Sequence, residues 1–180
     1  MTKLPSNFEL DRYGLHVRLV REEDAEFILR LRTDEKLARY LHATDDNVEK
    51  QVEWIKQYKV REAAGEDYYF IYEKDGQTIG VNRIYDINYD QEQVTAGSWI
   101  CKAEGMISIY TIIILRDIMF DIMGAKCDCF DVRKGNKKVQ RLHEMCGAQK
   151  VSEDEQNYYY CLTSEDYEQN KEQILKLLKD

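Results

Sequence analysis

The chain has 180 residues, 43% of them hydrophobic and 33% charged, which suits one folded domain with a substantial core. With 26 basic and 34 acidic residues its net charge is −8, so nucleic acid is not expected as the main partner, although local donors can still hold an anion. Met1–Leu10 lacks a signal-peptide core and no apolar run reaches the ~20 residues of a membrane span. A cytoplasmic protein with no membrane partner is expected, its five cysteines reduced.

Met1–Tyr13 reads as a loosely attached arm. Leu15–Val20 alternates Leu15, Val17 and Leu19 with His16 and Arg18, the pattern of a half-buried strand. Asp24 then heads a helix with the stripe Phe27, Ile28 and Leu31, and a second helix over Val48–Ala63 ends at Gly65. Tyr68–Glu73 and Gln77–Ile87 form strands around Asp75-Gly76, a strong hairpin signal. A strand at Gln93–Cys101 and a glycine at 105 precede the apolar segment Met106–Met123. Its isoleucines suit a strand, but its length and the polar set Ser108, Thr111, Asp117 and Asp121 suit a largely buried helix better. Next come a strand at Lys126–Val132, a short helix, strands at Gln149–Ser152 and Asn157–Thr163, and an amphipathic C-terminal helix over 164–180. That last helix carries Tyr167, Lys171, Ile174 and Leu178 on one face. Hairpins alternate with helical crossovers, so the fold class is α/β (α+β), a mixed sheet of about seven strands flanked by helices in a single domain over 1–180.

The short helix is the most telling element. Asn136 stands at its N-cap, Gly147 at its end, and Val139, Leu142, His143 and Cys146 share one face. With Val132 ahead of it, the block resembles the V-x-x-x-N-x-x-A-x-x-L-Y-x-x-x-G-F segment of the GNAT superfamily of acetyltransferases. His143 replaces the usual Tyr, and Ala148 the usual Phe. Val94-Thr95-Ala96-Gly97-Ser98-Trp99-Ile100-Cys101 is similar to that family's A-E-I-G-Y-W-I strand. Val17–Ala25 resembles its first strand and helix start, in particular those of the branch acting on ribosomal-protein termini and amino-sugars. The likeness runs over roughly Leu15–Thr163.

The resemblance implies an acetyl-CoA-dependent N-acetyltransferase acting on a primary amine of an amino-sugar, nucleotide-linked or not, or of a peptide N-terminus. It implies that Trp99, Ile100 and Cys101 supply backbone contacts to the pantetheine arm from a strand that splays from its neighbour. Fixed backbone donors of this kind stabilise developing negative charge without reorganising. The family's R/Q-x-x-G-x-G/A pyrophosphate loop aligns with Lys102, Gly105, Met106, Ile107 and Ser108. Here Ile107 stands in place of a small residue, and Glu104 adds a negative charge. Asn136 is implied to bind cofactor or an ordered water, and His143 to protonate the departing thiolate, as an imidazole with a pKa near ~6.5 can. The family's frequent glutamate aligns with Thr95, so Asp86 is left as the candidate base. The altered loop motivates an alternative, a GNAT-fold binding or scaffold protein that has lost efficient acetyl-CoA use. A homodimer is left open.

Cys127 and Cys129 form a C-x-C pair. No second Cys/His pair stands at metal-ligand spacing, so they read as small core hydrophobes and no metal is expected.

Overall fold

The computed structural model describes residues 1–178; Lys179 and Asp180, the end of the expected 164–180 helix, lie outside the described residues. The chain forms strands β1 (Glu9–Arg12), β2 (Leu15–Leu19), β3 (Tyr68–Lys74), β4 (Gln77–Asn88), β5 (Gln93–Cys101), β6 (Cys127–Arg133), β7 (Gln149–Glu153) and β8 (Asn157–Thr163). The helices are α1 (Ala25–Thr33), α2 (Val48–Ala64), α3 (Met106–Asp117), α4 (Lys137–Met145) and α5 (Ser164–Leu177).

All eight strands join one sheet in the order β1-β2-β3-β4-β5-β6-β8-β7. Every neighbouring pair is antiparallel except β5 and β6, which α3 connects as a crossover. On one face Ile28, Ile55, Tyr58, Tyr69, Ile71, Val81 and Ile100 pack beneath α1 and α2. On the other, Val17, Phe70, Tyr72, Val94, Ile113, Phe130, Leu162 and Ile174 pack with α3 and α5. Along β3 the residues divide between these two cores, Phe70 and Tyr72 to one and Tyr69 and Ile71 to the other.

The segment expected as a loose arm is instead fixed. Leu4 and Phe8 are buried, the Leu4 N–H donates to the Tyr68 hydroxyl (2.9 Å), and Glu9–Arg12 adds β1 at the sheet edge. A four-residue strand reading Glu-Leu-Asp-Arg has too little apolar alternation to show in the sequence. The ambiguous apolar segment is helical. α3 runs into a π-helical turn over Ile118–Ile122, and its length and all-round burial decide against a strand. Lys171, which interrupts the apolar stripe of α5, reaches the fully buried Asp117 at 2.9 Å.

α4 ends as its glycine predicts. Gly147 sits at φ +96°, and the Ala148 N–H closes on the His143 carbonyl at 3.0 Å. A Cβ here would stand 2.9 Å from the Asp166 carbonyl oxygen of α5. Gly147→Ala is therefore expected to lose about 1–3 kcal/mol, from backbone strain and from displacement of α5. A urea-unfolding midpoint equal to that of the unsubstituted chain would contradict this.

Candidate active site

β5 and β6 pair only at Gln93–Cys127 and Val94–Asp128, then part. Two features hold them apart. The Asp128 side chain takes the Ala96 N–H (2.8 Å), where a parallel strand partner would otherwise have continued the ladder. One step on, β5 bulges: Val81 pairs with Ile100 and Arg83 with Gly97, which leaves one extra residue on β5, and Ser98 adopts φ +53°. Beyond Ala96, then, the β6-facing edge of β5 has no strand opposite it. Residues 95–99 are only half-buried although they lie in mid-sheet.

The opening holds a cavity of about 200 Å³. Ala96–Trp99 form one wall and Phe130–Arg133 the other. Ile112, Leu115 and Arg116 of α3, with Asn136, Val139 and His143 at α4, close it on one side of the sheet. On the other side the α1–α2 connection crosses it, with Tyr40, Leu41 and His42 lining the cavity and the Tyr40 hydroxyl donating to the Gly135 carbonyl (3.0 Å).

The predicted residues fall into three groups. Trp99, Asn136 and His143 line the cavity. Trp99 is oriented by its indole N–H, which donates to Thr111 Oγ1 (2.8 Å). Asn136 begins α4 as expected, but its side chain does not cap the helix, so the amide is left for the cleft. Ile100 and Cys101 continue β5 towards α3 outside the cavity lining, and Ile100 turns its side chain into the α1/α2 core.

The second group is the loop and first turn of α3. Gly105 caps the helix at φ +65° with open space where a Cβ would stand. No acidic residue lies in the first turn, where the leading N–H groups have no intrahelical acceptor. The side chain of Ile107 packs inward on the main core, so its bulk is kept off the loop surface, and Met106 is exposed. Two of the side chains are engaged elsewhere. The Ser108 hydroxyl donates to the Gly105 carbonyl (2.7 Å), so its proton is already used within the turn. The Lys102 ammonium lies over the Phe27 ring (5.3 Å to its centroid), on the α1 side, rather than at the start of α3.

The third group is Asp86 alone. It is exposed at φ +49°, at the β4 irregularity between Tyr85 and Asn88, and it is not among the cavity-lining residues, whereas Tyr85 is. The acid that does line the cavity is Asp131 on β6. The Tyr85 phenol is pushed up, by burial first and then by Asp131 and Asp86, so it stays protonated.

Behind the cavity sit buried charges that sequence reasoning missed. Arg116, 1% exposed, donates through Nη2 to His143 Nδ1 (2.5 Å), while its Nη1 has no partner. Asp128, fully buried, leaves Oδ2 unpartnered, and burial pushes its carboxyl up to about 6 against the opposing pull of Arg116 and the Ala96 N–H. Burial, and then the Arg116 cation, hold His143 well below the ordinary histidine range. Since Nδ1 accepts from Arg116, the neutral ring carries its proton on Nε2. The neutral ring offers only the Nε2 proton, and an imidazolium is not populated near neutrality. One signal for this cluster was in the sequence. A lone arginine inside a strongly apolar run is rarely buried without partners.

The family model described as acetyltransferase (GNAT) domain matches residues 15–149. The chain belongs to the GNAT acetyltransferase family. No curated protein matches this GNAT chain. Among solved structures it is similar to apo FdhC, described as a nucleotide-linked sugar GNAT, with 38% identity and a TM-score of 0.85 over 96% of this chain and 99% of that one. The fold is also that of spermidine N-acetyltransferase from Vibrio cholerae in complex with CoA and spermine (17% identity, TM-score 0.75, 87% and 99% covered). Ribosomal-protein-S5-alanine acetyltransferase from Vibrio fischeri shares it too (16% identity, TM-score 0.75, 89% and 99% covered). The mixed sheet and the N-acetyltransferase class expected from sequence are those of this family. Among the described residues of the GNAT chain, no helix is long and apolar enough to cross a membrane.

Proposed function

We propose that this GNAT enzyme draws its acetyl group from acetyl-CoA and transfers it to the primary amine of a nucleotide-linked amino-sugar. The observation that carries the reading is the likeness to FdhC, whose description is a nucleotide-linked sugar GNAT, at 38% identity over 96% of the chain. The cleft supports it. Its open β5 edge, the Gly105-headed helix start and the uncommitted Asn136 amide fit the amides and phosphates of a CoA molecule. The unpartnered Arg116 Nη1 beside the cavity also fits a site built for a polar guest. These features favour an enzyme over a scaffold that has lost CoA.

Bound acetyl-CoA supplies an activated acyl thioester. The protein's share is to align the amine with it, polarise the carbonyl and manage two protons. The freed edge at Gly97–Trp99 presents backbone donors fixed by the bulge. Asp131 faces the acceptor side, holds the ammonium and accepts its proton directly or through water. The Nε2–H of His143, fixed by Arg116, donates to the departing sulfur. Arg133 and His42 at the rim suit the diphosphate of a sugar nucleotide.

Calorimetry with acetyl-CoA tests the donor, and no heat at millimolar concentration would remove it. Transfer assays then compare a nucleotide-linked amino-sugar, spermidine and an alanine-headed peptide. The sugar nucleotide is expected to give the highest kcat/KM, and a preference for either of the others would overturn the acceptor. Asp131→Asn should lower kcat/KM for the preferred amine by about 10²-fold or more and leave acetyl-CoA binding unchanged.

A further inference from the structure

We propose that Cys127, Cys129 and Cys161 form a thiolate site for zinc on the far side of the β6 wall of the cleft. The sulfur atoms of all three lie within 4.8 Å of one another, with Cys127 and Cys129 at 3.5 Å. Zn–S bonds of about 2.3 Å place the sulfurs of a tetrahedral site about 3.8 Å apart, so the thiols need shifts of under ~1 Å. The topology brings them together. Cys127 and Cys129 are two apart on β6 and share a face, and the β6–β8 register sets Cys161 directly opposite Cys129. Reading β6 alone shows two ligands. The third comes from a residue 32 positions on in sequence, on β8, which is why the C-x-C pair reads as core filling until the neighbouring strand is known.

Burial separates these thiols from core cysteines. Asp128, Phe130 and Val132 alternate with them and are the buried side of β6, whereas all three cysteines are half-buried on the other face. α1 and α2 pack over β3, β4 and β5, so the thiols lie beyond that cover. A small hydrophobe gains little there, and three thiolates could not form so close together without a counter-ion. A thiophilic cation reverses that balance and takes water as its fourth ligand. Binding converts three thiols to thiolates and releases up to three protons to solvent, with no electron transferred. The cation fastens β6 to β8 two residues from Asp131, so its occupancy stiffens a cleft wall whose other edge is unpaired.

The test uses the full, reduced, chelator-treated chain. Titration with Zn²⁺ against a chromophoric chelator is expected to give one ion per chain, and Co²⁺ a thiolate-to-metal charge-transfer band. Each of Cys127→Ser, Cys129→Ser and Cys161→Ser should weaken Kd at least ~10-fold. Thermal unfolding should shift up by about 5 °C at a hundredfold excess of zinc over Kd. Should a variant fold poorly, alkylation of the unsubstituted chain decides: zinc must protect three of the five cysteines. No bound ion, an unchanged Kd in the triple serine variant, or protection of other cysteines would overturn the site.

Discussion

Replacing Arg116 by methionine is expected to cost about 3–5 kcal/mol of folding stability at pH 7 and to remove most turnover. The side chain is 1% exposed and serves two groups at once, as donor to His143 and as the charge opposing Asp128. Methionine fills much of the volume, so the loss reports the charge rather than a cavity. The pH dependence separates this from simple misfolding. Asp128 has a folded pKa of about 6, above its unfolded value near ~3.9, so its ionisation is a stability cost above pH 6 that is relieved as pH falls towards 4. Without Arg116 that carboxyl rises further, and the relief grows. His143 has the opposite sign. Its depressed folded pKa makes acidification below ~6.5 costly, and removing Arg116 lessens that cost. Both terms act in one direction, so the gap between the two proteins should narrow from pH 7 to pH 5. Urea unfolding at the two pH values measures it, and a constant gap would reduce Arg116 to packing.

That cluster also marks how far the sequence could be read. Period-2 and period-3.6 patterns are local, and so β2, α2 and the helix that stops at Gly147 stand out, while the Asp75-Gly76 turn marks β3 and β4. β1 was too short and polar to register. The α1–α2 connection has no periodicity at all, so nothing announced that Tyr40–His42 would cross the cleft. The opening itself was implied by resemblance, but what makes it is not local. The Asp128 carboxylate reaches across 32 residues to the Ala96 N–H, and a single extra residue on β5 is visible only against the β4 register. Asp86 was chosen as a carboxylate on the β4 edge, and the β4 irregularity between Tyr85 and Asn88 that turns it outward shows only in the register against β5. Lys102 and Ser108 were chosen as residue types able to bind phosphate. Their partners in the fold, the Phe27 ring and the Gly105 carbonyl, could not be read from type or spacing.

His143→Phe is expected to lower kcat about 10²-fold or more, with the affinity for acetyl-CoA nearly unchanged. Phenylalanine keeps the ring that packs on Phe130, whose centroid lies 4.4 Å away, and removes only the two nitrogens. It also leaves Arg116 without an acceptor, at a stability cost of about 1–3 kcal/mol, so rates must be compared where both proteins are fully folded. The wild-type pH profile then tells which chemistry the histidine performs. An imidazolium acid would make kcat fall as pH rises through its pKa. A ring held neutral by burial and Arg116, donating from Nε2, contributes no such limb between pH 6.5 and 8. A flat profile with a low rate for His143→Phe fits a donor that stabilises the departing sulfur while solvent completes its protonation. A descending limb that disappears in the phenylalanine variant would restore the imidazolium, and would require Arg116 to move away from Nδ1 when the cleft is filled.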